Sequence, residues 1–182
     1  MKIQLTAAGF GGQGALAIGK NLVEAGMREG LEVTWTPSYG PEMRGGTANC
    51  SVVISDKRIG SPVFSHPTDL IALSLPSLIK FADKVVPGGN IFVNSSAVSE
   101  KVERSDVNVY YVPCSEMAEK VGNPKAVNMV MLGAYVGVSG AVKIETVEQI
   151  IREMFAGAKE KFIPGNIAAF HSGMDFVKQQ AE

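Results

Sequence analysis

Apolar and polar residues alternate over Ile3-Gln4-Leu5-Thr6-Ala7-Ala8, which predicts a β-strand near the start of the chain. From Ala15 to Arg28, small or apolar side chains recur at 15, 19, 22 and 26, the spacing of one helical face. Between the two stands Gly9-Phe10-Gly11-Gly12-Gln13-Gly14. A second strand reads Leu31-Glu32-Val33-Thr34-Trp35-Thr36, and a third runs from Thr47 to Ser55. The connection between them, Pro37 to Gly46, holds two prolines and three glycines, so it is expected to be a loop and cannot form a helix or a central strand.

Asp56 to Pro62 reads as a turn toward an edge segment. Asp69-Leu70-Ile71-Ala72-Leu73-Ser74-Leu75 is almost continuously apolar, as expected of a strand covered on both faces. Pro76 then opens a short helix to Ala82, since proline suits a first helical turn. Ile91 to Asn94 and Val107 to Val112 predict two further strands, separated by a polar surface loop from Ser95 to Asp106. Ser115 to Lys120 predicts a short helix ending at Gly122.

Asn123-Pro124 reads as a cap residue followed by proline at the first helical position, opening a helix over 126–142. That helix carries no charge, and its apolar side chains cover every face, so it must be buried all round. The expectation is packing against the sheet on one side and against another subunit on the other. Asn128, Ser139 and three glycines argue against a membrane helix. Thr146-Val147-Glu148-Gln149 matches a capping box, with Ile150, Ile151, Met154 and Phe155 as the core stripe behind it. A break at Pro164-Gly165 is expected before a last helix from Asn166 to Gln180. The elements sum to one α/β domain over 1–182, a Rossmann-like three-layer domain with a mainly parallel sheet and one β-rich excursion.

Composition narrows the function classes. The 17 basic and 18 acidic residues nearly cancel, which gives no field suited to nucleic acid or an anionic membrane. The opening residues enter a strand at once, without a signal-peptide pattern, so a cytoplasmic location is expected. Cys50 and Cys114 lie far apart and are expected to be reduced thiols, too few for a four-cysteine cluster. His66 and His171 stand in no metal-ligand spacing, so no metal site is expected.

Strand, glycine turn and helix form the context in which Gly9, Gly11 and Gly14 fill a G-x-G-x-x-G pattern, with Gly12 and Gln13 between them. Such a turn either brings a phosphate to the free N–H groups of the helix start or simply lets helix and strand pack closely. A dinucleotide site places an acid at the end of the second strand, and none stands there. The loop with Tyr39, Glu42, Arg44, Gly45 and Gly46 leaves the same sheet edge as the glycine turn. Two special loops at the ends of adjacent strands would form a crevice, with Arg44 suited to a carboxylate or phosphate. The alternative is an ordered connector in which Arg44 and Glu42 meet only each other or water.

Three strings together, Gly-Phe-Gly-Gly-Gln-Gly at 9–14, Ser-Tyr-Gly-Pro-Glu-Met-Arg-Gly-Gly at 38–46 and Asn-Met-Val-Met-Leu-Gly-Ala at 128–134, resemble the gamma subunit of the 2-oxoacid:ferredoxin (acceptor) oxidoreductases. The resemblance covers nearly the whole chain, and the middle string is its most specific part. It implies alpha and beta partner subunits that bind thiamine diphosphate and magnesium, and a ferredoxin-like delta subunit with iron–sulfur clusters. It also implies coenzyme A as co-substrate in the oxidative decarboxylation of a 2-oxoacid such as 2-oxoglutarate, pyruvate or a branched-chain oxoacid. This chain is then expected to bind no cofactor firmly and to supply no catalytic residue, while its 46% apolar content and the uncharged helix at 126–142 predict that it self-associates when isolated. A free-standing nucleotide-binding oxidoreductase and a non-catalytic scaffold subunit are the alternative readings.

Overall fold

The first predicted strand becomes a central one. In the computed structural model, which describes residues 1–41 and 46–180, Lys2–Phe10 (β1) lies between two different kinds of neighbour. Thr47–Ser55 (β3) runs antiparallel to it, and Asp69–Ala72 (β4) runs parallel. Glu32–Tyr39 (β2) pairs antiparallel with β3 at one edge, while Asn90–Asn94 (β5) and Asn108–Val112 (β6) extend the parallel half. The order is β2-β3-β1-β4-β5-β6. Only β3 runs against the rest, so the expected mainly parallel sheet is found, with the antiparallel pairs confined to the β-rich excursion.

Strand burial follows from position. Every residue of β4 is buried, as its unbroken apolar run requires. At the free edge, β2 continues through Pro37 to Tyr39, three residues past its predicted end. Proline is tolerated there because an edge strand pairs on one side only.

Helices Ala15–Arg28 (α1), Cys114–Lys120 (α3), Val127–Ser139 (α4), Ile144–Met154 (α5) and Ile163–Gln180 (α6) share one core with Leu5, Ala7, Val52 and Phe92. Leu75–Phe81 (α2) and the segment around Val98 and Val102 cover the other face at β4 and β5. Among the described residues no helix is long and apolar enough to cross a membrane.

The uncharged helix is buried as predicted, but by the chain itself. Every residue from Met129 to Val136 in α4 is buried, and the side expected to meet another subunit packs along α6. Gly133 lies against the Phe170 backbone and Gly173 against the Val130 backbone, so the two helices approach with no side chain between them at those points. This removes the sequence argument for self-association through α4.

Three helix starts differ from expectation. Asn123 and Pro124 form a turn in which Ala126 N donates to the Asn123 carbonyl at 2.9 Å, and α4 begins only at Val127. Thr146 lies inside α5, which starts at Ile144 because Lys143 N donates to Glu29 Oε1 at 2.7 Å and is held extended as the cap residue. Pro164 sits in the first turn of α6 and does not break it, a position where its missing N–H is harmless.

Candidate functional site

The glycine turn at the end of β1 is held by its own glutamine. Gln13 Oε1 accepts from Phe10 N at 2.6 Å, Gln13 N donates to the Phe10 carbonyl at 3.1 Å, and Gln13 Nε2 donates to the Leu73 carbonyl at 3.0 Å. One side chain therefore closes the turn and ties it to the chain leaving β4. Two glycines make this possible. Gly14 has φ of +92°, and a Cβ there would stand 2.6 Å from Asn128 Cβ. At Gly9 a Cβ would stand 2.7 Å from Gln13 Oε1. Among the described residues no side chain caps α1, which leaves the N–H groups of its first turn available to a ligand.

The loops after β1 and β2 do meet, through Gly11 N, which donates to the Gly46 carbonyl at 2.8 Å. They do not leave adjacent strands as expected, because antiparallel β3 lies between β1 and β2. Beside this contact is a cleft of about 440 Å³ bounded by Phe10, Gly12, the first turn of α1, Tyr39 and Thr47. Tyr39 is 70% exposed on its rim. Glu42, Arg44 and Gly45 lie outside the described residues.

A larger cleft, about 560 Å³, opens on the other side of the glycine turn. The chain leaves β1 toward β2 and β3 but leaves β4 toward β5, so this cleft lies where the winding of the sheet reverses. Ligands of open α/β sheets bind at such points, outside the carboxyl ends of the strands. Its walls include Gly12, Gln13 and Gly14, Asn94 at the end of β5, Ser115 in α3, and Lys125 and Asn128 at the start of α4. Asn94 is buried and accepts from Ser96 N at 3.3 Å, while its amide nitrogen has no partner among the described residues. The rim is set by Ser96, whose hydroxyl accepts from Ser115 N at 2.9 Å and donates to Glu116. That bond holds the Glu116 carboxyl below its ordinary range.

Sequence reasoning missed Asn94, Ser115, Lys125 and Asn128 as cleft residues. Asn94 carried a usable signal, a polar residue closing a buried parallel strand at its carboxyl end. Asn128 belonged to a recognised string but looked like an ordinary helical position.

Among the described residues that line it, the cleft carries hydrogen-bond donors and no carboxylate. Burial pushes the Cys50 thiol up to about 11 and raises that of Cys114 further, so neither is poised to react near neutral pH. Among the described residues no three His, Cys, Asp or Glu side chains gather as a metal site. The separation of β2 from β1 also removes the place from which a dinucleotide's ribose would be held.

The family model for pyruvate ferredoxin/flavodoxin oxidoreductase matches residues 4–176. Over its whole length the chain is 41% identical to ketoisovalerate oxidoreductase subunit VorA of Methanothermobacter thermautotrophicus, although it spans only 38% of that protein. It is 35% identical to 2-oxoglutarate synthase subunit KorC of Methanothermobacter marburgensis, covering 98% of each chain. The gamma subunit of keto/oxoacid ferredoxin oxidoreductase from Geobacter sulfurreducens has the same fold, with a TM-score of 0.82 and 28% identity over 97% of this chain and 99% of that one. A 2-oxoglutarate:ferredoxin oxidoreductase from Magnetococcus marinus, solved with 2-oxoglutarate, coenzyme A and succinyl-CoA bound, gives a TM-score of 0.89 at 25% identity, over 98% of this chain and 31% of that one. The match along nearly the entire sheet and both helical layers shows that this chain belongs to the pyruvate ferredoxin/flavodoxin oxidoreductase family.

Proposed function

We propose that this chain is the gamma-type subunit of a 2-oxoacid:ferredoxin oxidoreductase and that it completes an active region built mainly by other chains. The observation that carries this reading is the end-to-end match with a relative named as a separate subunit, KorC, over 98% of each chain. The partners are alpha and beta subunits, with a ferredoxin-like delta subunit for electron transfer. Thiamine diphosphate, magnesium and the iron–sulfur clusters belong to those partners and supply the oxidative chemistry there. The described residues of this chain do not fit them, since they gather neither a thiolate set nor a carboxylate cluster.

Coenzyme A is the co-substrate that this surface suits. The open N–H groups at the start of α1 and the Lys125 ammonium offer donors for phosphate oxygens beside the glycine turn. The bound coenzyme A in the Magnetococcus marinus relative supports that assignment. Arg44 is proposed to add a charged fork from the neighbouring loop, directed at a partner carboxylate or at coenzyme A.

The test is purification through a tag on this chain from its native cells, followed by assay of 2-oxoacid-dependent and coenzyme-A-dependent ferredoxin reduction. The expected result is a multisubunit complex with that activity and an isolated chain without it. Purification of the chain without partners, or turnover by the chain alone, would overturn the reading. In the complex, Arg44→Lys is expected to raise the coenzyme A requirement about tenfold, the equivalent of about 1.4 kcal/mol.

A further inference from the structure

The antiparallel half of the sheet has a second face that α2 does not reach across. There the strands present a rung of hydroxyls: Thr6 of β1 pairs with Ser51 of β3, and Ser51 with Thr36 of β2. Thr6 is only 5% exposed, yet its hydroxyl has no hydrogen-bond partner among the described residues, and it lines a cavity of about 320 Å³. Ser51 and Asn49, both half-buried, line the same cavity, and among the described residues their side chains form no hydrogen bond. With Thr6 buried and the other two half-buried, this wall presents two hydroxyls and an amide that a ligand in the cavity can reach.

The lining also carries positive charge and aromatic surface. Lys84, in the turn after α2, has no carboxylate within 4.0 Å among the described residues, and its ammonium lies 5.5 Å from the centre of the Phe81 ring. His66 shares one ring nitrogen with the Ser65 hydroxyl at 2.9 Å, which leaves the other for a ligand. Phe64 and Phe81 also bound the cavity, and among the described residues no acid lines it. A pocket of hydrogen-bond donors and aromatic rings, without a carboxylate of its own, selects an anion with a flat apolar body.

The segments that carry Lys84 and His66 are fastened in place. Arg104 donates to the Ala82 and Val85 carbonyls at 2.9 and 2.7 Å, pinning the turn that bears Lys84, and is itself held by Asp106. Val86 N donates to the Pro67 carbonyl at 3.0 Å, and Thr68 N to the Gln4 carbonyl at 2.8 Å, so the segment with His66 is tied both to that turn and to β1.

We propose that this cavity binds a small organic carboxylate with a planar apolar body, its charge at Lys84 and its oxygens at the Thr6 and Ser51 hydroxyls. The site is separate from the glycine turn and stands apart from the gamma-subunit reading, so either can fail alone.

The test uses 4-fluorobenzoate as the probe, titrated into the full chain and followed by fluorine NMR, with 4-fluorobenzamide as the neutral control. Saturable binding of the acid and not of the amide is expected. Lys84→Met should weaken it about tenfold and Thr6→Val about threefold, the effects of losing one charged and one neutral hydrogen bond. Amide shifts of Thr6, Ser51 and His66 should move during the wild-type titration, which places the probe without relying on the variants. Absence of saturable binding below about 10 mM, equal binding of the amide, or an affinity unchanged in both variants would overturn the proposal.

Discussion

Gly133 of α4 lies directly against the backbone carbonyl of Phe170 in α6, so close that a Cβ on Gly133 would overlap it. The obstacle is main chain, which cannot rotate away as a flexible side chain would. Gly133→Ala should therefore force α4 and α6 apart and destabilise the fold by about 1–3 kcal/mol, despite the better helix propensity of alanine. Gly140→Ala is not an equivalent control because Gly140 is left-handed, with φ of +58°. Gly137→Ala is the better comparison, because its nearest neighbour is the side-chain atom Met174 Cγ at 3.1 Å. Urea unfolding of both variants measures the difference. Equal stability of Gly133→Ala and the parent would show that the helices can separate freely.

A buried carboxyl at the start of β4 gives a pH dependence of known sign. Asp69 accepts from Asn90 Nδ2 at 2.8 Å and from the Tyr135 hydroxyl at 3.1 Å. Burial raises its pKa above the ordinary 3.8, and those hydrogen bonds offset only part of the rise. The folded state thus binds the proton more tightly than the unfolded one. Stability from this group is full below 3.8 and is lost as pH rises through the raised value. In Asp69→Asn that slope should vanish, so the parent's advantage over the variant should shrink between pH 4 and neutrality. Urea midpoints across that range decide it, and a constant difference at every pH would contradict the assignment.

Glu153 acts in the opposite sense at the surface. Hydrogen bonding by Arg28, at 2.5 Å, and then by Gln149 lowers its pKa from 4.5 to about 2. Its contribution is present above 4.5 and lost as pH falls toward 2. Arg28→Gln should return the Glu153 carboxyl toward its ordinary value and uncouple the end of α1 from α5. Carbon NMR titration of the Glu153 carboxyl is the measurement, and an unmoved titration curve would show that Arg28 does not set it.

These relationships mark how far the sequence could be read. The boundaries of β3 were legible because apolar and polar positions alternate from Thr47 to Val52 and a short apolar run carries the strand on to Ser55. Helix starts were less so: Thr146 looked like a cap, but a side chain remote in sequence, Glu29, fixes Lys143 and starts the helix earlier. The all-round apolarity of α4 correctly implied complete burial. It could not say what supplies the cover, because the meeting of Gly133 with Phe170 and of Gly173 with Val130 depends on tertiary pairing. The same limit applied to the larger cleft. Gly12 and Gly14 were visible as a pattern, whereas Asn94 and Asn128 join them only through the sheet order and the docking of α4.

The final prediction concerns Gln13, whose amide joins β1, the glycine turn and the chain after β4. Its Oε1 accepts from Phe10 N, and its Nε2 donates to the Leu73 carbonyl. Gln13→Ala removes both bonds and leaves two backbone groups to find water, a loss of about 1–2 kcal/mol. Gln13→Glu keeps the acceptor for Phe10 N but places a second oxygen against the Leu73 carbonyl, so it should rescue the first bond and not the second. In the isolated chain, hydrogen exchange of the Phe10 amide should accelerate in Gln13→Ala and stay nearer the parent in Gln13→Glu. On the proposed coenzyme A assignment, both variants in the assembled enzyme should raise the KM for coenzyme A more than they lower kcat, because the turn would position donors without itself reacting. Unchanged Phe10 exchange in Gln13→Ala would remove the latch role. An equal fall in kcat with no change in KM would place the effect on the reacting centre rather than on coenzyme A binding.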